Sequence, residues 1–97
     1  MNLKEFRNSI RNNTLPATLS QPLQALWYDG SGNWEKAHEL VQDEEGPDAA
    51  WIHAYLHRRE GDTWNADYWY RRAGRQRPAI SLENEWELMV EALLAEG

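Results

Sequence analysis

A spacing of 29 residues recurs along this chain and restricts its fold more than any other feature. Ala25 and Ala54, Gly32 and Gly61, Asn33 and Asp62, and Ala37 and Ala66 each stand one such interval apart. Leu23 with Ile52 and Leu26 with Tyr55 keep the same frame. A small residue on each of two successive helices lets their axes approach closely. The Gly between them ends the first helix, and the Asn or Asp after it accepts from the free N–H groups that open the second. A helix–turn–helix hairpin is therefore predicted twice.

The rest of the chain also carries a helical period. Leu3, Phe6 and Ile10 share one stripe of a short N-terminal helix whose first turn is expected to fray. Ser20 and Pro22 open the first hairpin, and Asn33 caps its second helix, with Trp34, Ala37, Leu40 and Val41 on one side. Asp48 is predicted to cap the next helix and Asp62 the one after it, with Gly61 and Gly74 as stops. Ser81 caps a last helix that aligns Leu82, Trp86, Met89, Val90, Leu93 and Leu94. No segment alternates as a strand would. The predicted class is all-α: two stacked helix–turn–helix hairpins, residues 22–46 and 48–78, between an N-terminal helix and a C-terminal capping helix at 81–96. Residues 1–97 form one domain on this reading.

At these residues the chain resembles the tetratricopeptide and Sel1-like helical repeats. The second hairpin matches that pattern throughout, at Ala54, Gly61, Ala66, Tyr70, Ala73 and Pro78. The first keeps Ala25, Gly32, Ala37 and Val41 but has Glu44 and Ala49 at the last two places. Its period is also shorter than the usual tetratricopeptide length of about 34 residues. The resemblance implies a non-enzymatic domain that binds a protein or peptide segment on the face supplied by the first helix of each repeat. The block HAYLHRREGDTWNADYWYRRAG is also similar to one in a family of small uncharacterised proteins, a likeness that adds no chemistry.

Composition narrows the function classes. Net charge is −6, which argues against nucleic acid as a partner, and the absence of Cys excludes disulfides, thiolate metal sites and a cysteine nucleophile. No apolar run is long enough to span a bilayer, and the start MNLKEFRNSIRNN lacks the apolar core of a signal peptide, so a cytoplasmic protein is expected. Charge is segregated: acids crowd Asp29 to Asp48 and the segment after Glu83, while six arginines fall between Arg58 and Arg77. The chain is rich in tryptophan, with six Trp and four Tyr beside one Phe. Buried Trp and Tyr need partners for their N–H and O–H groups, so a hydrogen-bonded aromatic core is expected.

Two constellations invite function. His53 and His57 are four residues apart on one helix, and His38, three residues after Glu35, lies on the helix before it. In stacked hairpins those helices are neighbours, so three imidazoles could meet as a zinc or iron site, the alternative to a protein with no cofactor. The competing account makes His57 a hydrogen-bonded core residue. Along the other side of the same helix run Trp51, Tyr55, Arg58 and Arg59. Aromatic and Arg side chains of this kind anchor binding hot spots, here for an extended acidic or C-terminal peptide. The competing account packs both aromatics under a terminal helix and pairs both arginines with acids.

Arg71, Arg72, Arg75 and Arg77 follow the C-terminal end of the fourth hairpin helix, where cations oppose the helix dipole and an anion could land. No phosphate loop, nucleophile elbow or serine triad is present. Apolar ends left by two hairpins allow self-association as a homodimer through the first or the last helix.

Overall fold

Side-chain caps set most of the helix starts. In the computed structural model, which describes residues 1–96, α1 (Leu3–Arg11) opens on a capping box. The Glu5 N–H donates to Asn2 Oδ1 at 2.9 Å, and the Asn2 N–H donates to Glu5 Oε1 at 3.0 Å. That reciprocal pair holds the first turn, which was expected to fray. Ser20 caps α2 (Gln21–Gly30), Asn33 caps α3 (Trp34–Gln42), and Asp62 caps α5 (Thr63–Arg72). Ser81 Oγ accepts from the Asn84 N–H at 3.0 Å at the start of α6 (Leu82–Glu96).

The start of α4 (Pro47–Arg59) differs from the expectation that Asp48 caps it. The cap position belongs to Gly46, at φ 109°, with no side-chain cap bond. Pro47 explains the shift: its ring presets the helical φ, and its missing N–H is one that no helix start can satisfy internally. Asp48 falls inside the first turn, where its charge faces the positive end of the helix dipole.

The fold is all-α: the described residues form six helices and no strand. α2 packs on α3 and α4 on α5, making two hairpins, and α3 lies against α4 to join them. Ala25, Ala37, Ala54 and Ala66 have no exposed surface, as close helix crossings require. α6 lies across α2 and α4, the first helices of both hairpins, and α1 touches α2 and α6. The inner face of the two hairpins is therefore roofed by α6, which lowers Trp86, Met89, Val90 and Leu93 into the core.

The aromatic core is hydrogen-bonded, as its composition predicts. The indole N–H of Trp27 donates to Ser9 Oγ, that of Trp34 to the Leu56 carbonyl, and that of Trp86 to the Leu26 carbonyl, each at 2.9–3.0 Å. Trp51 donates to Glu85. Each bond removes the desolvation cost of an N–H that burial would otherwise strand.

Candidate metal centre

The α3–α4 junction brings His38, His53 and His57 together. His38 stands one turn into α3, while His53 and His57 stand on successive turns of α4. One ring nitrogen from each lies within 4.8 Å of the others, and among the described residues they are the one such grouping of three metal-ligating side chains. His38 Nε2 and His53 Nε2 are 3.0 Å apart. A tetrahedral zinc ion with bonds of about 2.05 Å needs ligand nitrogens about 3.3 Å apart. The 3.0 Å between His38 Nε2 and His53 Nε2 is close to that spacing.

Tryptophans wall the cluster. The Trp69 ring of α5 stacks on His53 with centroids 4.0 Å apart, and the Trp34 ring stacks on His38 at 4.9 Å. The His53 and His57 rings are themselves stacked at 4.8 Å. His53 is 5% exposed, and the Nδ1 atoms of His53 and His57 are buried with no hydrogen-bond partner. Polar atoms buried without partners are costly, and ordered water or an ion relieves that cost.

Burial favours the neutral form of His53 and His38, the form that binds metals. Burial, reinforced by His38 and His57, pushes His53 down to about 4. His38 is lowered by burial and then by His57, with Glu60 acting in the opposite direction. Glu60 Oε1 lies 3.6 Å from His57 Nδ1 and is the carboxylate at the cluster. Glu35, the acid noted beside His38 in the sequence, is exposed and forms no part of the grouping. Glu60 lies three residues past His57, a helical spacing that does reveal it. Trp69 comes from a helix beyond the pair and has no such signal.

The residues expected to form a peptide-binding face, Trp51, Tyr55, Arg58 and Arg59, are not one open surface. Trp51 is 4% exposed and Tyr55 1%. The Trp51 indole donates to Glu85 Oε2 at 3.2 Å, and Arg58 Nη1 lies 2.7 Å from Glu85 Oε1. The Tyr55 hydroxyl donates to Asp29 Oδ2 at 3.0 Å, with Arg59 Nε 3.4 Å from Asp29 Oδ1. Roofing by α6 is the reason: its apolar side needs cover, and its Glu85 and the Asp29 of α2 claim the polar tips of the stripe.

A cleft of about 390 Å³ still reaches Tyr55, Arg59 and Asp29, between Arg7, Arg11 and Trp86. Burial raises the Asp29 carboxyl against the opposing pull of Arg59 and the Tyr55 hydrogen bond. Burial, then the charge of Asp29, raises the Tyr55 hydroxyl. Comparison with protein-family models, curated proteins and solved structures finds no match to this chain.

Proposed function

We propose that this domain binds a divalent transition-metal ion, zinc in the first instance, through His38, His53 and His57. The observation that carries the reading is the convergence of three imidazoles from two hairpins, with one ring nitrogen from each within 4.8 Å of the others. Three imidazoles are a zinc donor set, and the d¹⁰ ion has no geometric preference from its d electrons. Iron(II) accepts the same donors and is the competing ion.

The ion would have a structural consequence. His38 belongs to the first hairpin and His53 and His57 to the second, so one metal cross-links them at their interface. Three protein ligands leave a fourth position, as in zinc sites that hold water or substrate. Glu60 supplies a negative charge beside the ion, offsetting part of the cost of placing a dication in a partly buried site. The peptide-binding reading has less behind it, because two of its four anchors are interior.

Calorimetric titration of the metal-free full chain with zinc, paired with native mass spectrometry, tests the reading. The expected result is one ion per chain at micromolar affinity or tighter, lost in His38→Ala and in His53→Phe. Absence of stoichiometric binding of zinc or iron(II), or binding unchanged in both variants, overturns it.

A further inference from the structure

A second cleft, lined by none of the three imidazoles, lies past the C-terminal end of α5. Arg58, Tyr70, Arg71, Arg75 and Arg77 line a cleft of about 590 Å³. Two of those guanidinium groups are already matched. Arg58 is held by Glu85 and by the Ile80 carbonyl, and Arg77 Nε lies 3.0 Å from Asp67 Oδ1. Arg71 and Arg75 have no ion pair among the described residues. The cleft therefore carries two uncompensated positive charges on a chain whose net charge is −6.

Arg75 is also held in place. Gly74, at φ 73°, turns the chain out of α5, and the Arg75 N–H closes back on the Tyr70 carbonyl at 2.8 Å. The guanidinium then rests over the Trp51 ring, 3.4 Å from its centroid. Stacking occupies the face of the guanidinium and leaves its in-plane N–H edge free, so the donors are oriented and unspent. The backbone N–H groups of Ala73, Gly74 and Arg75 cap the carbonyls of Trp69, Tyr70 and Arg71, which reduces the negative field that a bare helix end would present to an anion.

We infer that this cleft binds a small phosphomonoester, with the phosphate between Arg71 and Arg75. A phosphate group concentrates close to two negative charges and three acceptor oxygens in one compact group, which matches two free guanidinium forks better than a single carboxylate does. The volume exceeds that of phosphate alone and suits a small organic substituent beside it. Pro78 and Ala79 offer that substituent a surface. This inference stands apart from the metal reading and shares no residue with it.

The test is a titration of the ¹⁵N-labelled full chain, with chelator present, following the indole N–H of Trp51 beneath Arg75. Phenyl phosphate, inorganic phosphate and acetate are compared at one ionic strength set with chloride. Saturable shifts are expected with phenyl phosphate, in the millimolar range or tighter, and weaker ones with inorganic phosphate. Arg71→Gln and Arg75→Gln should each weaken phenyl phosphate about tenfold, whereas Arg77→Gln should change it less than about threefold. Both target side chains are exposed, and circular dichroism checks that the variants fold. Tighter binding of inorganic phosphate than of the ester overturns the assignment to a phosphomonoester. No saturable shift, equal shifts with acetate, or affinity unchanged in Arg71→Gln and Arg75→Gln overturns the site.

Discussion

The Tyr70 hydroxyl lies 2.8 Å from Oε1 and 2.7 Å from Oε2 of Glu85, a carboxylate with no exposed surface on a different helix. Glu85 also receives the Trp51 indole N–H and the Arg58 guanidinium, so donors from α4 and α5 converge on one residue of α6. Burial, then the hydrogen bond and charge of Glu85, raises the Tyr70 hydroxyl and keeps it a donor. This junction fixes the roof helix to the second hairpin.

Removing the acceptor should be expensive. Glu85→Ala leaves Arg58 without its counter-charge and two buried donors without partners, an expected loss of about 3–5 kcal/mol. Glu85→Gln keeps an acceptor oxygen and should cost less. Urea unfolding at neutral pH measures both, and a cost below about 1 kcal/mol for Glu85→Ala would remove the junction from the stability argument.

Gly30 should tolerate no side chain. A Cβ there would stand 2.8 Å from the Trp86 ring and 2.9 Å from the Ile10 side chain, although its backbone is ordinary helix. Helix propensity alone favours alanine over glycine by about 1 kcal/mol. Overpacking opposes that gain with about 1–3 kcal/mol, so Gly30→Ala is expected to destabilise by thermal melting. A stabilised variant would mean that Trp86 can move aside.

Acid should weaken the metal-free fold through His53. Folding lowers its pKa to about 4, so between there and about 6.5 the unfolded chain takes up a proton that the folded chain refuses. Stability consequently falls as pH drops through that window, and this contribution levels off below it. The full shift corresponds to about 3 kcal/mol. Urea unfolding at several pH values, wild type against His53→Phe, isolates the effect: the variant should show a smaller acid loss.

Zinc should stabilise the folded chain in proportion to occupancy. At a free concentration a hundredfold above Kd the gain is about 2.7 kcal/mol. His38→Ala should abolish that gain while changing the metal-free stability little, since His38 is only half-buried. A melting temperature unmoved by zinc in the wild type contradicts the cross-link between hairpins.

Much of the helix pattern was legible because its causes are local. Ser20, Asn33, Asp62 and Ser81 cap where their spacing says they must, since a cap is a bond between a side chain and a backbone group three residues on. The Asp48 expectation missed because a neighbouring proline set the helix start first. The pairing of His53 with His57 was legible for the same local reason. The order of the hairpins put His38 on the neighbouring helix, and only the packing of α3 on α4 brought it to the pair.

The fate of the Trp51 side of α4 was not legible. Trp51, Tyr55, Arg58 and Arg59 have the spacing of an exposed recognition stripe and of a packed interface alike. Which one they form depends on where α6 lands, and that is a contest between burial of its apolar side and the pairing of Glu85 at long range. The chain's own letters determined the helices, most of their ends and the doubled hairpin, because turns and caps act over a few residues. Only the tertiary structure decided that α6 closes over the inner face, that Trp34 and Trp69 enclose the imidazoles, and that Arg71 and Arg75 remain unmatched. Packing and charge pairing between distant segments are settled by the whole fold at once.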